Sequence, residues 1–315
     1  MKKIVLSFFL ALLATSIQAQ DGRTVYNFLR LPVSAHGAAL GGNNITLVED
    51  DESMIFHNPS LLSNVSDKTI LINYMNYMAG VNTASAAFNK VIKERASVAF
   101  SGQYINYGSM KEMNADNIQN GEFSAKDISI AGYFSYLLTD RITGGVAAKF
   151  ITSYIGEYNS LALGVDLGLN YYHHDSELSI SLVAKNLGGQ VKSYDDNFER
   201  MPMDLQVGIS KRLVHTPLRF SATLTDLTHW NYKFIQHLSA GAELILSPQI
   251  WIGAGYNFRR AKEMSIENSD HEKSSNWAGF SLGAGLSLNN FKLNLAYGKY
   301  HVSSSSILVN IAYTL

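Results

Sequence analysis

Four groups of side chains in this 315-residue chain have the types and spacing that chemistry could use. His173-His174-Asp175 offers metal donors, but adjacent residues at a strand end point to opposite faces, and no third ligand follows at helical or turn spacing. They read as a solvated turn. Ser303 to Ser306 after His301 offers a nucleophile beside a base, yet a serine run in a loop is ordinarily a flexible connection. Glu49-Asp50-Asp51-Glu52 could attract a cation, although it lacks the fixed-offset glycine of a calcium loop. Glu267, Asp270, His271, Glu272 and Lys273 crowd one connection, where mixed charge means a solvated loop or a protein-docking surface. The expectation is a chain without catalytic residues, bound metal or cofactor.

The elements around these groups are strands. Between Ala278 and Leu288, one face carries Phe280, Leu282, Ala284, Leu286 and Leu288, while the other carries Gly279, Ser281, Gly283, Gly285 and Ser287. Leu161, Leu163, Val165, Leu167, Leu169 and Tyr171 alternate in the same way with Ala162, Gly164, Asp166, Gly168 and Asn170. Period two keeps such a set on one side only in a strand. A soluble barrel would place Lys, Glu and Thr on its wet face, and here the second face is too small and too weakly charged for that. A transmembrane barrel reverses the arrangement, with an apolar band toward lipid and small polar residues toward the lumen.

Fourteen strands are expected, over about 68–77, 83–91, 95–107, 123–137, 141–154, 158–172, 177–186, 203–212, 217–225, 236–247, 249–259, 276–288, 291–300 and 307–315. Connections after even-numbered strands are tight, as at Ile92-Lys93-Glu94 or Asn289-Asn290. After odd-numbered strands several are long, namely Gly108 to Glu122, Leu187 to Pro202, Asp226 to Ile235 and Arg260 to Ser275. Short periplasmic turns and long external loops give this parity, and an even count places both ends of the mature chain in the periplasm. Ile307, Val309, Ile311, Tyr313 and Leu315 share one face of the last strand, which must pair with the first to remove both edges. Strand-end aromatics, among them Tyr74, Tyr77, Tyr104, Tyr107, Trp251 and Tyr300, suit interfacial girdles or the lumen. The fold expected is therefore all-β: a 14-stranded antiparallel transmembrane β-barrel with a small N-terminal plug.

The plug is residues 20–67, ahead of the barrel at 68–315 and behind a segment 1–19 that reads as a secretory signal cut after Ala19. The chain has no cysteine, so disulfides and thiolate metal sites are excluded, and its net charge of -1 argues against nucleic acid. Gly41-Gly42 and Asn58-Pro59 punctuate the plug. Phe28, Leu29, Leu31, Met54, Ile55 and Phe56 could line an apolar pocket or hold the plug in place. Inward candidates Asp166, Lys185 and Glu243 are too sparse to argue a porin.

The block Tyr26 to Ala35, Ala39-Leu40-Gly41-Gly42, the acidic group and His57-Asn58-Pro59-Ser60-Leu61-Leu62 resembles the PorV/PorQ family of the type IX secretion system, within the FadL-like outer-membrane barrels. Ser60 stands where that group usually has alanine. The resemblance implies the outer membrane of a Bacteroidetes-type bacterium. It also implies a non-catalytic anchor that docks a PorZ-like surface protein and PorU/PorV-like members of a cargo-attachment complex. The plug motif it assigns is Gly41, Gly42, Asn58 and Pro59. The loop reading adds Met110, Met113, Phe198, Met201, Trp230, Tyr232 and Phe234 as docking anchors, because aromatic and similar groups dominate interface energetics. The alternative function is FadL-like transport of hydrophobic small molecules.

Overall fold

A computed structural model describes residues 24–113, 119–230, 232–264, 266–267, 273–274, 277–300 and 304–315. The expected signal segment lies outside the described residues. Fourteen antiparallel strands close on themselves. They are β1 Thr69–Asn76, β2 Asn82–Lys93, β3 Ala96–Met113, β4 Gln119–Thr139, β5 Ile142–Ile155, β6 Tyr158–His173 and β7 Leu178–Lys192. The second half comprises β8 Asp204–Arg212, β9 Leu218–Leu224, β10 Leu238–Ser247, β11 Ile250–Asn257, β12 Phe280–Leu288, β13 Phe291–Gly298 and β14 Ser306–Thr314. β14 pairs with β1 from Thr69↔Thr314 to Asn76↔Ile307, so neither terminal strand keeps a bare edge. A two-residue ribbon, Ile266–Glu267 with Lys273–Ser274, decorates the β11–β12 connection.

The alternation read from the sequence sets the two faces. Along β1, Ile70, Ile72 and Tyr74 face outward while Leu71, Asn73 and Met75 are buried. On β12 Leu282 is exposed and Ser281 is fully buried. On β6 Leu163 is exposed and Ala162, Asp166 and Asn170 are buried. An outer face of Ile, Leu, Phe and Tyr could not face water around a whole barrel and is suited to lipid.

Three expectations change. Gly108 to Glu122 is largely not a loop: β3 and β4 continue as a ribbon paired from Ser109↔Ser124 to Met113↔Gln119, because a hairpin ladder needs only backbone partners and tolerates polar side chains on both faces. Strand seven likewise runs on to Lys192. The plug does not start from the periplasmic side. Val25 N–H donates to Arg200 O at 3.0 Å beside the long loops, and Asp50 reaches Lys292 next to the short turns. The segment therefore runs the length of the lumen, and the two ends of the described chain lie at opposite ends of the barrel.

Short capped turns shape the plug. Ser34 caps α1 (Ala35–Ala39) by accepting from Gly37 N–H at 3.0 Å. Asn58 caps the 3-10 turn Pro59–Asn64, accepting from Ser60 N–H at 3.0 Å and Ser60 Oγ at 2.7 Å, with Pro59 at the first helical position, where no N–H is needed. Asn58 Nδ2 in turn donates to Ile45 O and to Ser181 Oγ on β7. The serine that replaces the usual alanine is thus bonded inside the cap. At Gly41 (φ 97) and Gly42 (φ 90) the backbone takes the left-handed region, and Gly41 exchanges hydrogen bonds with Ser281, Ser239 and Asn257 of the wall.

The small residues of the lumen face are where this plug touches the wall. A Cβ on Gly168 would overlap Asn58 Oδ1, one on Gly145 would overlap Pro59 backbone, and one on Gly255 would overlap Leu40 and Gly41. Ala39 sits against Gly283 in the same way. Substituting Gly145→Leu is expected to expel the Pro59 turn, raising planar-bilayer conductance several-fold while heat-modifiable gel mobility still reports a folded barrel. Unchanged conductance would contradict the seal.

Candidate functional site

With a filled lumen, chemistry can reside in the charge networks between plug and wall, in the cavities left over, or on the outer rim. The first network lies toward the periplasmic end. His36 is fully buried on α1, stacked on Trp251 with ring centroids 3.7 Å apart and planes 8° from parallel. Its Nε2 is 2.8 Å from Glu243 Oε2 and its Nδ1 3.4 Å from Glu49. Arg219 on β9 pairs with both Glu49 and Glu243. Burial alone would push the His36 imidazole down in pKa, but the carboxylates of Glu243 and Glu49 outweigh it and hold the imidazolium above the ordinary range.

The acidic group does not converge on a cation. Glu49 goes to Arg219 and His36. Asp50 goes to Lys292 and Ser66. Asp51 caps Ser53 and accepts from Asn294 Nδ2 at 3.2 Å. Glu52 is buried with neither carboxyl oxygen bonded, and burial followed by the nearby Asp51 pushes its pKa up to about 8. The tetrad is a set of latches to two wall strands, β9 through Arg219 and β13 through Lys292 and Asn294, joined by one neutral acid.

A second network crosses the middle of the wall. Lys149 bridges Asp166 at 2.5 Å and Asn186 at 2.9 Å. Asn186, at φ 58 in a bulge of β7, donates its N–H to Asp166. Lys185 donates to Phe56 O of the plug at 3.0 Å. Asp166, Lys185 and Glu243 all occur in such networks.

Above them, toward the long loops, a cavity of about 260 Å³ remains. The N-terminal segment forms one side, through Asn27, Leu29, Arg30, Leu31 and Pro32. α2 (Phe258–Glu263) and Tyr300 form the other, and Gly42, Asn43 and His57 line it from the plug. Asp226 gathers Arg259 at 2.5 Å, His229 at 2.6 Å and Arg30 at 3.8 Å, and Arg259 also holds Glu263 at 2.8 Å. The void bordered by Leu29, Leu31, Phe56 and Tyr133 holds about 20 Å³, and Phe28, Met54 and Ile55 are buried packing contacts. Of the two uses the sequence left open for these six residues, Phe28, Met54 and Ile55 serve plug retention, while Leu29 and Leu31 also line the larger cavity.

On the rim, Phe198, Trp230 and Phe234 are more than 60% exposed, and Met110 and Met113 stand out on the β3–β4 ribbon. Tyr232 is half-buried beneath the Arg259 guanidinium, 4.3 Å from its ring. Met201 is corrected: it is 5% exposed and packs inward with Tyr26 and Phe28 over Gly164, because the residues after Arg200 turn back into the lumen to reach β8. Trp277, 73% exposed, was not among the expected anchors. Among the strand-end aromatics, Trp251 and Tyr300 face inward; Tyr74 and Tyr104 face outward. The latch cations Arg219 and Lys292 carried no sequence signal beyond their place in alternating strands.

No protein-family model matches the sequence, and no curated protein matches it significantly. Solved structures do share the fold, which is that of the FadL-type outer-membrane barrels. The Pseudomonas putida toluene transporter TodX aligns over 90% of this chain and 98% of its own, at a TM-score of 0.56 and 12% identity. The monoaromatic hydrocarbon channel CymD aligns over 90% and 96%, at 0.56 and 12%. A Pseudomonas aeruginosa FadL homologue aligns over 89% and 98%, at 0.54 and 10%.

Two stability measurements follow. Arg219→Met leaves Glu243 and Glu49 with only the His36 imidazolium as counter-charge, and is expected to lower unfolding free energy by about 3 kcal/mol in denaturant titrations of the purified barrel. Glu52 has its folded pKa, about 8, above the ordinary 4.5, so its stabilising proton is lost as pH rises through that window. Glu52→Gln should match the wild type near the bottom of the window and exceed it increasingly up to pH 8, read by thermal unfolding at each pH.

Proposed function

We propose that this chain is a plugged outer-membrane barrel whose working surface is its external rim, where it anchors and docks surface-exposed members of a type IX secretion attachment complex. The observation that carries this reading is the pairing of a filled lumen with an aromatic rim. Latches at Arg219, Lys292 and Lys185 tie the plug to the wall, and Phe198, Trp230 and Phe234 stand exposed at the other end. Large exposed aromatics on loops held by a rigid barrel suit protein docking, since a few such groups carry most interface energy. The resemblance of the N-terminal block to the PorV/PorQ family gives the partner class, with PorZ-like, PorU-like and PorV-like proteins as candidates.

A second reading is passage of small hydrophobic molecules. The shared fold with TodX and CymD supports it more directly than it supports docking. Against it stands the lumen itself, where the larger void is lined by charges and the smaller one, of about 20 Å³, is too small for a ligand.

One preparation separates the two. The barrel is recovered from its native outer membrane in mild detergent, co-purifying proteins are identified by mass spectrometry, and bound lipids are extracted. Docking predicts a surface protein whose recovery falls at least about tenfold when Phe198 and Trp230 are both changed to Glu. A solitary barrel carrying an apolar ligand would sink docking and favour transport.

A further inference from the structure

The external cavity has a charge balance and a set of unmet donors that neither reading uses. Its lining holds four cations, Arg30, Lys185, Arg259 and Arg260, and three carboxylates, Asp204, Asp226 and Glu263, leaving one positive charge in excess. His57 adds none, because burial and then the nearby Lys185 push its pKa down to about 3. The carboxylates are already engaged. Asp226 takes Arg259 and Arg30, Glu263 takes Arg259, and Asp204 accepts from Gln206 Nε2 and the Asp226 N–H, each at 2.6 Å.

Arg260 has no such partner among the described residues. Its backbone N–H caps onto Asn257 Oδ1 at 2.9 Å, and its guanidinium lies 3.8 Å from the centre of the Tyr300 ring. Its Nη1 is buried without a hydrogen-bond acceptor, and the hydroxyl of Tyr300, itself only 3% exposed, has the Arg260 guanidinium beside it but no acceptor for its own proton. Buried donors are almost always satisfied in native proteins, so two unmet ones on a single cavity wall point to an acceptor that belongs there. Gly42 keeps the wall open: a Cβ there would come within 3.1 Å of Arg260 Nη2 and 3.8 Å of Tyr300 Oη.

We propose that this cavity binds one small carboxylate anion, held by the Arg260 guanidinium and the Tyr300 hydroxyl. A single excess cation matches a monoanion. A planar guanidinium beside a hydroxyl suits the two oxygens of a carboxylate. Leu29, Leu31, Pro32 and Met264 border the same space and would receive a compact organic body, whereas a long chain would not fit in about 260 Å³. The site is independent of the docking reading, since its residues line the lumen and not the rim.

The test is isothermal titration calorimetry of the full barrel in detergent with acetate, benzoate, benzamide and inorganic phosphate. Benzoate should bind saturably, with benzamide, its uncharged counterpart, at least tenfold weaker. Arg260→Gln and Tyr300→Phe should each weaken benzoate tenfold or more, with Lys211→Gln on the outer face unchanged. Heat-modifiable mobility checks that each variant is folded. The proposal is overturned by absence of saturable carboxylate binding to the wild type, by equal binding of benzamide, by full retention in folded Arg260→Gln, or by phosphate binding more tightly than either carboxylate.

Discussion

Closure of the backbone ladder between β1 and β14 is the constraint on which the rest of the structure depends. Inside a bilayer an unpaired N–H or C=O has no water to turn to, so a sheet can cross only when its last strand meets its first. The eight paired positions from Thr69↔Thr314 to Asn76↔Ile307 make that closure. The two faces of every strand then become inside and outside. An outward Leu163 and an inward Asp166 follow from the same period of two.

Closure creates an interior that must be filled or left wet, and here the plug and the wall are fitted to each other. The wall offers glycine where the plug brings backbone, as at Gly145 under Pro59 and Gly255 under Gly41. It offers Ser and Asn where the plug has groups to satisfy, as at Ser281 under Gly41 and Asn310 bonded to Val33 O at 3.0 Å. Charges enter in opposed sets, His36 and Arg219 against Glu49 and Glu243, so that the buried Glu243 carboxylate is compensated. Glu52 is the exception, with burial favouring the protonated acid over an unpaired charge. Such a contact set resists a hydrophobic conduit through the plug and leaves free surface and volume at the external end. That distribution ties the functional argument to the rim and to the cavity beneath it, although the fold is shared with transport barrels.

The sequence by itself determined the barrel, its strand count, the alternation of faces and the parity of connections. These are local properties: period two and turn chemistry are both written within a few neighbours. Tertiary structure alone decided what needs residues far apart in the chain. Glu49 and Arg219 are 170 positions apart, so nothing near either announces the pair. Met201 reads as a loop anchor and is buried because the chain turns inward there; residues 108–122 read as a loop and extend a ladder that side-chain patterning does not record. The acidic run looked like one site because its members are adjacent in the chain. Folding sent each carboxyl to a different environment, since consecutive residues in short turns point in different directions: Glu49, Asp50 and Asp51 met partners on the wall, and Glu52 was buried without one.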